Sequence, residues 1–529
     1  MTDLVPLAVA LPIVGSVVAL LAGLVRARTG WHVAVVAALA QVGLAAELAR
    51  RAFVEGTIEY VVGGFSVPYG IELVIDGLSG SMIVLVAVSA LGVLSYARAA
   101  GPRSNPFYAA YLLLVAGLTG MSVTGDLFNL YVFLEITGLA AYVLVASDDS
   151  GRSAIAALRY LLIGTVGASL FLLGIGYAYI ATGTLNMGDL ATQIAEVGYT
   201  ATLVQAAFAF VVVGLFIKVA IFPLHTWQPE AYASAPDSVS ALISALVSTV
   251  SAYALVRVVY TAFTADFLEA NPLAADLLGA AAAVSIVAGS LLAVAQSEVK
   301  RMLAYSSVAQ FGLVVAAASL VNETAMIGAV VHLVGHALMK GSLFLAAGVV
   351  ATATGARTVS EYDGLVDRLP VGAGAFGVLA LAMVGVPPTL GFVGKWYIAL
   401  GAVESGSWVL VVVIVASTLL TLAYFARLVE RMFFRDPATA LADEVGVAAS
   451  EDEAEVVADG SDLGATDGVV TSGSDPATDG GDDAPSTDRV TFGMYAVVVV
   501  TAVLAVALGL AVFEYAEFLE PTITRLLTP

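Results

Sequence analysis

Cysteine is absent from the 529 residues, so no disulfide, thiolate metal site or thiol nucleophile is available. Charge is scarce: Asp, Glu, Lys and Arg together make up 12% of the chain. Soluble domains carry about a quarter, so an ordinary soluble protein is excluded. No Walker loop, Rossmann glycine fingerprint or cysteine cluster occurs, and nothing points to a bound nucleotide, flavin, iron–sulfur centre or other cofactor. The N-terminus lacks a basic n-region and carries Asp3, so the first apolar run reads as an uncleaved span rather than a signal peptide.

Apolar length is what the chain has in excess, with 60% of residues hydrophobic. Runs long enough to span a bilayer fall at 4–25, 31–50, 74–97, 107–125, 127–147, 155–181, 201–228, 237–262, 273–296, 301–320, 325–353, 371–402, 407–433 and 491–516. Only Gly125-Asp126 separates the fourth from the fifth. The fold class expected is therefore an all-α polytopic membrane protein of about 14 transmembrane helices. Thirteen Lys and Arg residues lie in the loops on one side of these runs, among them Arg26, Arg152, Lys300 and Arg431. Arg50, Arg51, Arg257 and Arg525 lie on the other. The positive-inside bias then places both termini outside, in keeping with an even number of spans.

The net charge of −21 is concentrated in one place. Residues 436–489 hold 15 acids and one base, Arg489, and supply −14 of it. Rich in Asp, Gly, Ser, Thr and Ala, the segment cannot bury a core and reads as a disordered cytoplasmic loop. Such an acidic loop fits a high-salt cytoplasm, where excess carboxylates keep surfaces hydrated; a tail that docks a protein is the competing reading.

Charges at membrane depth are few, and each needs a reason. Lys218 stands in the seventh run, five residues before Pro223, which cannot donate to the carbonyl of Val219. A charge beside a broken helix is how transporters build midplane ion sites. Glu135, about 12 Å into the fifth run, is the one acid clearly in mid-span and the natural counter-charge to Lys218. A switchable ion pair and a static packing pair both fit. In the eleventh run, His332, His336 and Lys340 repeat at intervals of four along one helix stripe. No third ligand accompanies the histidines, so a proton relay suits them better than metal; hydrogen-bonded packing is the bland reading. The twelfth run contains Gly385-Val386-Pro387-Pro388 and then Lys395, a second broken helix with a buried lysine. Two such elements at matching positions five runs apart suggest an internal repeat, runs 4–8 against 9–13. His225, just past the first break, faces a half-channel or caps freed carbonyls. Lys300 and Arg301 read as positive-inside loop charges. Arg159 is a further basic residue at membrane depth.

The stretches Lys218–Ala231 with Ala235-Pro236, Lys300–Val308, the His332–Lys340 stripe and Gly385–Lys395 resemble the antiporter-like subunits of complex I and of Mrp-type cation/proton antiporters. The likeness covers almost the whole chain. Thr124–Glu135 and Thr182–Leu190 are most similar to the D subunit of Mrp-type antiporters. The resemblance implies 14 helices with two inverted five-helix repeats and a proton path through Glu135, Lys218, His332, His336, Lys340 and Lys395, with helix breaks at Pro223, Pro387 and Pro388. The implied segments are 1–106, the repeats 107–262 and 263–435, the loop 436–490 and the final helix 491–529. One departure stands out: where the family usually has a lysine in its eighth helix, this chain has Thr249. The implied role is ion translocation in a multisubunit Na⁺/H⁺ antiporter of the cell membrane, with other Mrp-type membrane subunits, H⁺, Na⁺ and lipid as partners and no nucleic acid. A membrane subunit of a complex I-like or hydrogenase-linked redox pump is the alternative, and a non-conducting assembly subunit a third.

Overall fold

The computed structural model describes residues 4–148, 150–436 and 490–528. Nearly all of the acidic loop thus lies outside the described residues. The remainder is helical, as a chain in hydrocarbon must be if its backbone groups are to be satisfied within each segment. In order, the helices are α1 (Val5–Val25), α2 (Gly30–Val54), α3 (Gly77–Ala100), α4 (Asn105–Val123), α5 (Leu127–Val145), α6 (Gly151–Thr182), α7 (Met187–Val197), α8 (Thr202–Val219), α9 (Gln228–Ser234), α10 (Asp237–Arg257), α11 (Thr264–Ala270), α12 (Pro272–Val294), α13 (Val299–Ser319), α14 (Glu323–Thr354), α15 (Leu365–Arg368), α16 (Pro370–Val384), α17 (Leu390–Glu404), α18 (Trp408–Phe434) and α19 (Phe492–Leu527). A π-helical turn, Val258–Phe263, joins α10 to α11.

Among the described residues, 13 helices are long and apolar enough to cross a membrane, counting α10 through α11 as one. The remaining run, 371–402, is divided into α16 and α17. Each has 15 residues and at 1.5 Å per residue falls short of a 30 Å hydrocarbon core by itself. Fourteen crossings follow, at the positions the apolar runs occupy. The all-α expectation needs one amendment. β1 (Ile58–Val61) and β2 (Glu72–Ile75) form an antiparallel hairpin with Ile58 opposite Ile75. The amphipathic α7 is also not among the spans. Both lie at one end of the bundle, called here the hairpin end.

The three-residue turn between α4 and α5 is held from both sides. Asp126 caps α5 by accepting from the Asn129 amide at 2.7 Å. Gly125 donates its N–H to Glu72 in β2 and accepts from the Met187 amide at the start of α7. Hairpin, turn and α7 therefore brace one another. At the centre stands α14, packed against α10, α13, α16, α17 and α19. The most apolar 18-residue stretch of the helix formed by α10 and α11 is wholly buried, so no face of it is left for lipid.

The two breaks have the same local construction. α8 ends on Ala220 with φ 69° and α16 on Gly385 with φ 96°. Past each cap the next amide reaches back five residues, Ile221 to Phe216 and Val386 to Leu381. A one-turn bond follows, Leu224 to Ile221 and Thr389 to Val386. Elements five crossings apart run in opposite directions, so the matched breaks relate the two halves as inverted copies. The lysines take different places at the two breaks, as their order relative to the prolines implies. Lys218 precedes its break at the end of α8, whereas Lys395 follows its break inside α17.

Candidate functional site

Lys218 lies in the last turn of α8, where the side chain turns inward toward α5. Its ammonium donates to Glu135 Oε1 at 3.3 Å and lies 3.4 Å from the Tyr142 hydroxyl. The two charges are unequally enclosed, with the lysine side chain 6% exposed and the glutamate 28%. A carboxylate with one open side, in a position to be reached by water or a neighbour, fits a pair that can separate better than one sealed in packing. Tyr142 was not singled out from the sequence, because a tyrosine in an apolar run is commonplace. Its hydroxyl occupies the space where Gly164 of α6 would carry a Cβ, so that glycine makes the room.

From Lys218 the polar groups continue into α10. Ser248 Oγ lies 3.5 Å from the Lys218 carbonyl and binds Gln228 Nε2 at 3.0 Å and the Tyr232 hydroxyl at 3.2 Å. His225 is buried against the rings of Phe222 and Tyr305. Thr249 faces elsewhere. The site of a Cβ on Gly341 of α14 would be 3.0 Å from Ala245, and that of Gly348 would be 2.8 Å from Asp237. α10 and α14 are therefore antiparallel, and one turn beyond Ala245 brings Thr249 to the level of His336. Phe311 of α13 meets the His336 ring with centroids 4.9 Å apart, so its neighbour Gln310 lies at that level too. Thr249 Oγ1, both amide atoms of Gln310 and all four ring nitrogens of His332 and His336 are buried without a hydrogen-bond partner in the protein. Buried polar groups are normally satisfied by protein or ordered water. A cluster of them at mid-depth, drawn from three helices, is the environment a water-mediated proton path requires. Gln310 was missed, though a glutamine inside Val308-Ala309-Gln310-Phe311 is itself the signal.

The stripe on α14 divides. Its rings stand 6.1 Å apart, while Lys340 turns to α13, donating to the Leu303 carbonyl at 3.0 Å and Ser306 Oγ at 2.6 Å. Lys395 donates to the carbonyls of Met383 at 2.7 Å and Val384 at 3.1 Å. Those two carbonyls would otherwise accept from residues 387 and 388, which as prolines have no N–H. The ammonium thus takes the place of two missing amides at the C-terminus of α16, where positive charge is also favoured. Gly394 lets α17 lie on α14; its Cβ would fall 2.8 Å from His332 Cα.

Two readings of basic residues change. Lys300 is not a free loop charge. It is buried in α13, bound to Asp237 Oδ1 at 2.9 Å and the Ala235 carbonyl at 2.8 Å, and Arg301 lies 3.7 Å from Glu230. Lys300 also lines a polar cavity of about 840 Å³ at the end opposite the hairpin, shared with Asp148, Arg152, Glu298 and Arg357. Arg159, unlike the three lysines, is exposed on α6. Among the described residues no cluster of three metal-ligating side chains occurs.

Thr249 gives a graded expectation. If its hydroxyl orders the water between Lys218 and His336, Thr249→Val should slow exchange about tenfold, the weight of one hydrogen bond of roughly 1.4 kcal/mol. Thr249→Lys should keep or raise the rate. Ion exchange in vesicles reads both, and a wild-type rate in the valine variant would take Thr249 off the path.

Residues 124–421, which include every side chain of this site, match the family described as NADH:quinone oxidoreductase/Mrp antiporter, TM. The chain belongs to that family. It is 49% identical over 383 residues to the N subunit of the NADH-quinone oxidoreductase of Desulforudis audaxviator, covering 71% of this chain and 75% of that one. It is 32% identical over 391 residues to the D subunit of the Na(+)/H(+) antiporter of Bacillus subtilis, covering 73% and 78%. A chain of the membrane-bound sulfane sulfur reductase, an archaeal respiratory membrane complex, superposes with a TM-score of 0.84 at 27% identity, covering 100% of this chain and 98% of that one. The Mrp complex from Dietzia sp. contains a chain with the same fold, at a TM-score of 0.84 and 24% identity, covering 100% and 98%.

Proposed function

We propose that this chain is the ion-translocating subunit of a multisubunit Na⁺/H⁺ antiporter, moving protons through Glu135, Lys218, the His332–Lys340 stripe and Lys395. The observation that carries the reading is the 3.3 Å Lys218–Glu135 pair at membrane depth, next to a helix break and joined to α10 at Ser248, the chain neighbour of the unpartnered Thr249. Residues 107–262 and 263–435 serve as its two inverted repeats, each with one deformable break. The termini and hairpin end face outside, and residues 436–489 face the cytoplasm of a cell membrane. The chain works as a transporter subunit with no catalytic centre of its own. The open side of Glu135 suits coverage by another membrane subunit of the complex.

A second reading has its own support. The 49% likeness to the N subunit of an NADH-quinone oxidoreductase fits a proton-pumping membrane subunit of a redox complex with the same internal path. Exchange in everted vesicles separates the two. The assembled complex should alkalinise the lumen in response to Na⁺ added outside with no electron donor present, as Na⁺ enters in exchange for H⁺, and removal of this subunit should abolish the response. A proton movement that appears only with electron flow would establish the redox reading instead.

A further inference from the structure

The proposed path accounts for the middle of α10 but not for its ends, and each end is closed by a buried ion pair. At the hairpin end Arg257 donates to Asp76 Oδ2 at 2.6 Å, with the two side chains 11% and 13% exposed. At the opposite end Lys300 holds Asp237. Each pair sits at the wall of a cavity. The one at the hairpin end measures about 550 Å³ and is lined by Thr57, Asp76, Thr192, Arg257, Thr261 and Asp266 among others. Arg257 Nε also donates to the Tyr253 hydroxyl at 3.2 Å, and that hydroxyl donates to the Ser122 carbonyl of α4 at 2.6 Å. Thr249, Tyr253 and Arg257 repeat every four residues, so they lie along one slowly winding stripe of α10. The stripe starts at the mid-depth polar cluster and ends at the cavity. Just beyond Arg257 the helix widens into the π turn Val258–Phe263, a feature often found where a helix serves a site.

We propose that Arg257, Asp76 and Tyr253 form the outer gate of the proton path, separating Thr249 from the cavity at the hairpin end. This rests on the translocation reading above. Closed, the guanidinium bridges α10 to the start of α3 while Tyr253 bridges α10 to α4, and water in the cavity has no route to Thr249. Opening needs only that the Arg257–Asp76 bond part, which frees both a donor and a carboxylate to hydrate the stripe. Burial pushes the Asp76 carboxyl up, but the Arg257 charge and the Ser79 amide outweigh it and hold the group below the usual carboxylate range. Asp76 is thus an anion near neutral pH, and the closed gate is a charged pair.

The absence of cysteine makes single-cysteine labelling clean. In the assembled complex, Thr192→Cys, at an exposed position of the cavity wall, should react with a membrane-impermeant thiol reagent added from outside, and Thr249→Cys should be protected. Adding Asp76→Asn should raise labelling of Thr249→Cys at least tenfold. Asparagine still caps α3 through its carbonyl, as Asp76 Oδ1 does toward Leu78 and Ser79, so the fold is kept while the attraction to Arg257 is lost. Arg257→Gln, which removes the charge from the other side of the same pair, provides the same test should the first variant fail to assemble. Protection of Thr192→Cys from outside, equal labelling of both positions in the parent chain, or no rise in either background overturns the gate. Labelling does not depend on which ion is exchanged, so its failure is distinct from failure of the antiporter reading.

Discussion

Glu135→Gln should abolish exchange while leaving the complex assembled. Glutamine keeps the shape and the hydrogen-bonding reach toward Lys218 but removes the charge. Two unit charges about 4 Å apart at an effective dielectric of about 20 attract by roughly 4 kcal/mol, and the observed pair is closer still at 3.3 Å. In the proposed switch, that attraction is the energy by which closing the pair would hold a proton on the lysine and opening it would release one. A loss of that size corresponds to a rate change of about a thousandfold, below detection in vesicle assays. Glu135→Asp should retain part of the rate, because charge survives on a shorter stem. Lys218→Ala should match the glutamine variant, and the double variant should be no worse, since the two side chains act as one unit. Normal exchange in Glu135→Gln would leave the pair with a packing role only.

Lys395 carries the second large effect, and here two substitutions part structure from transport. Lys395→Met orphans the carbonyls of Met383 and Val384, each buried acceptor costing on the order of 1–3 kcal/mol. It should lower thermal stability as well as end exchange. Lys395→Arg can still donate to both carbonyls and keep α16 and α17 in register, but a guanidinium does not give up its proton at accessible pH. If Lys395 passes protons, the arginine variant should melt close to the parent and exchange at least a hundredfold more slowly. An arginine variant that exchanges normally would make Lys395 a structural strut across the break.

The matched breaks suggest why the two lysines sit on opposite sides of them. In the second half the ammonium of Lys395 fills the gap the prolines leave. In the first half two other carbonyls of the last turn of α8 have neutral donors. Trp227 Nε1 holds the Ile217 carbonyl at 2.8 Å, and Ser248 approaches that of Lys218. Lys218 is thereby left to face Glu135. One ammonium is tied to the backbone and the other to a partly exposed carboxylate.

The number and position of the crossings were legible in the residues alone, because a hydrocarbon slab about 30 Å thick demands a long apolar run for each helix and tolerates few charges within it. The breaks at Pro223 and Pro387-Pro388 were legible for an equally local reason, the missing N–H. Even the Glu135–Lys218 pairing could be read, since one mid-span acid had to find a cation. What the tertiary structure alone decided lies where helices distant in sequence meet. That Lys300 is a buried partner of Asp237 rather than a loop charge, and that Arg257 pairs with Asp76, follows from residues 63 and 181 positions apart. That Thr249, Gln310 and His336 share one level depends on how α10, α13 and α14 are staggered. Periodicity along a helix tells which residues share a face, but not which other face it meets or at what height. Those are set by close packing at small residues such as Gly341, Gly348 and Gly394, whose effect appears only once the helices are side by side.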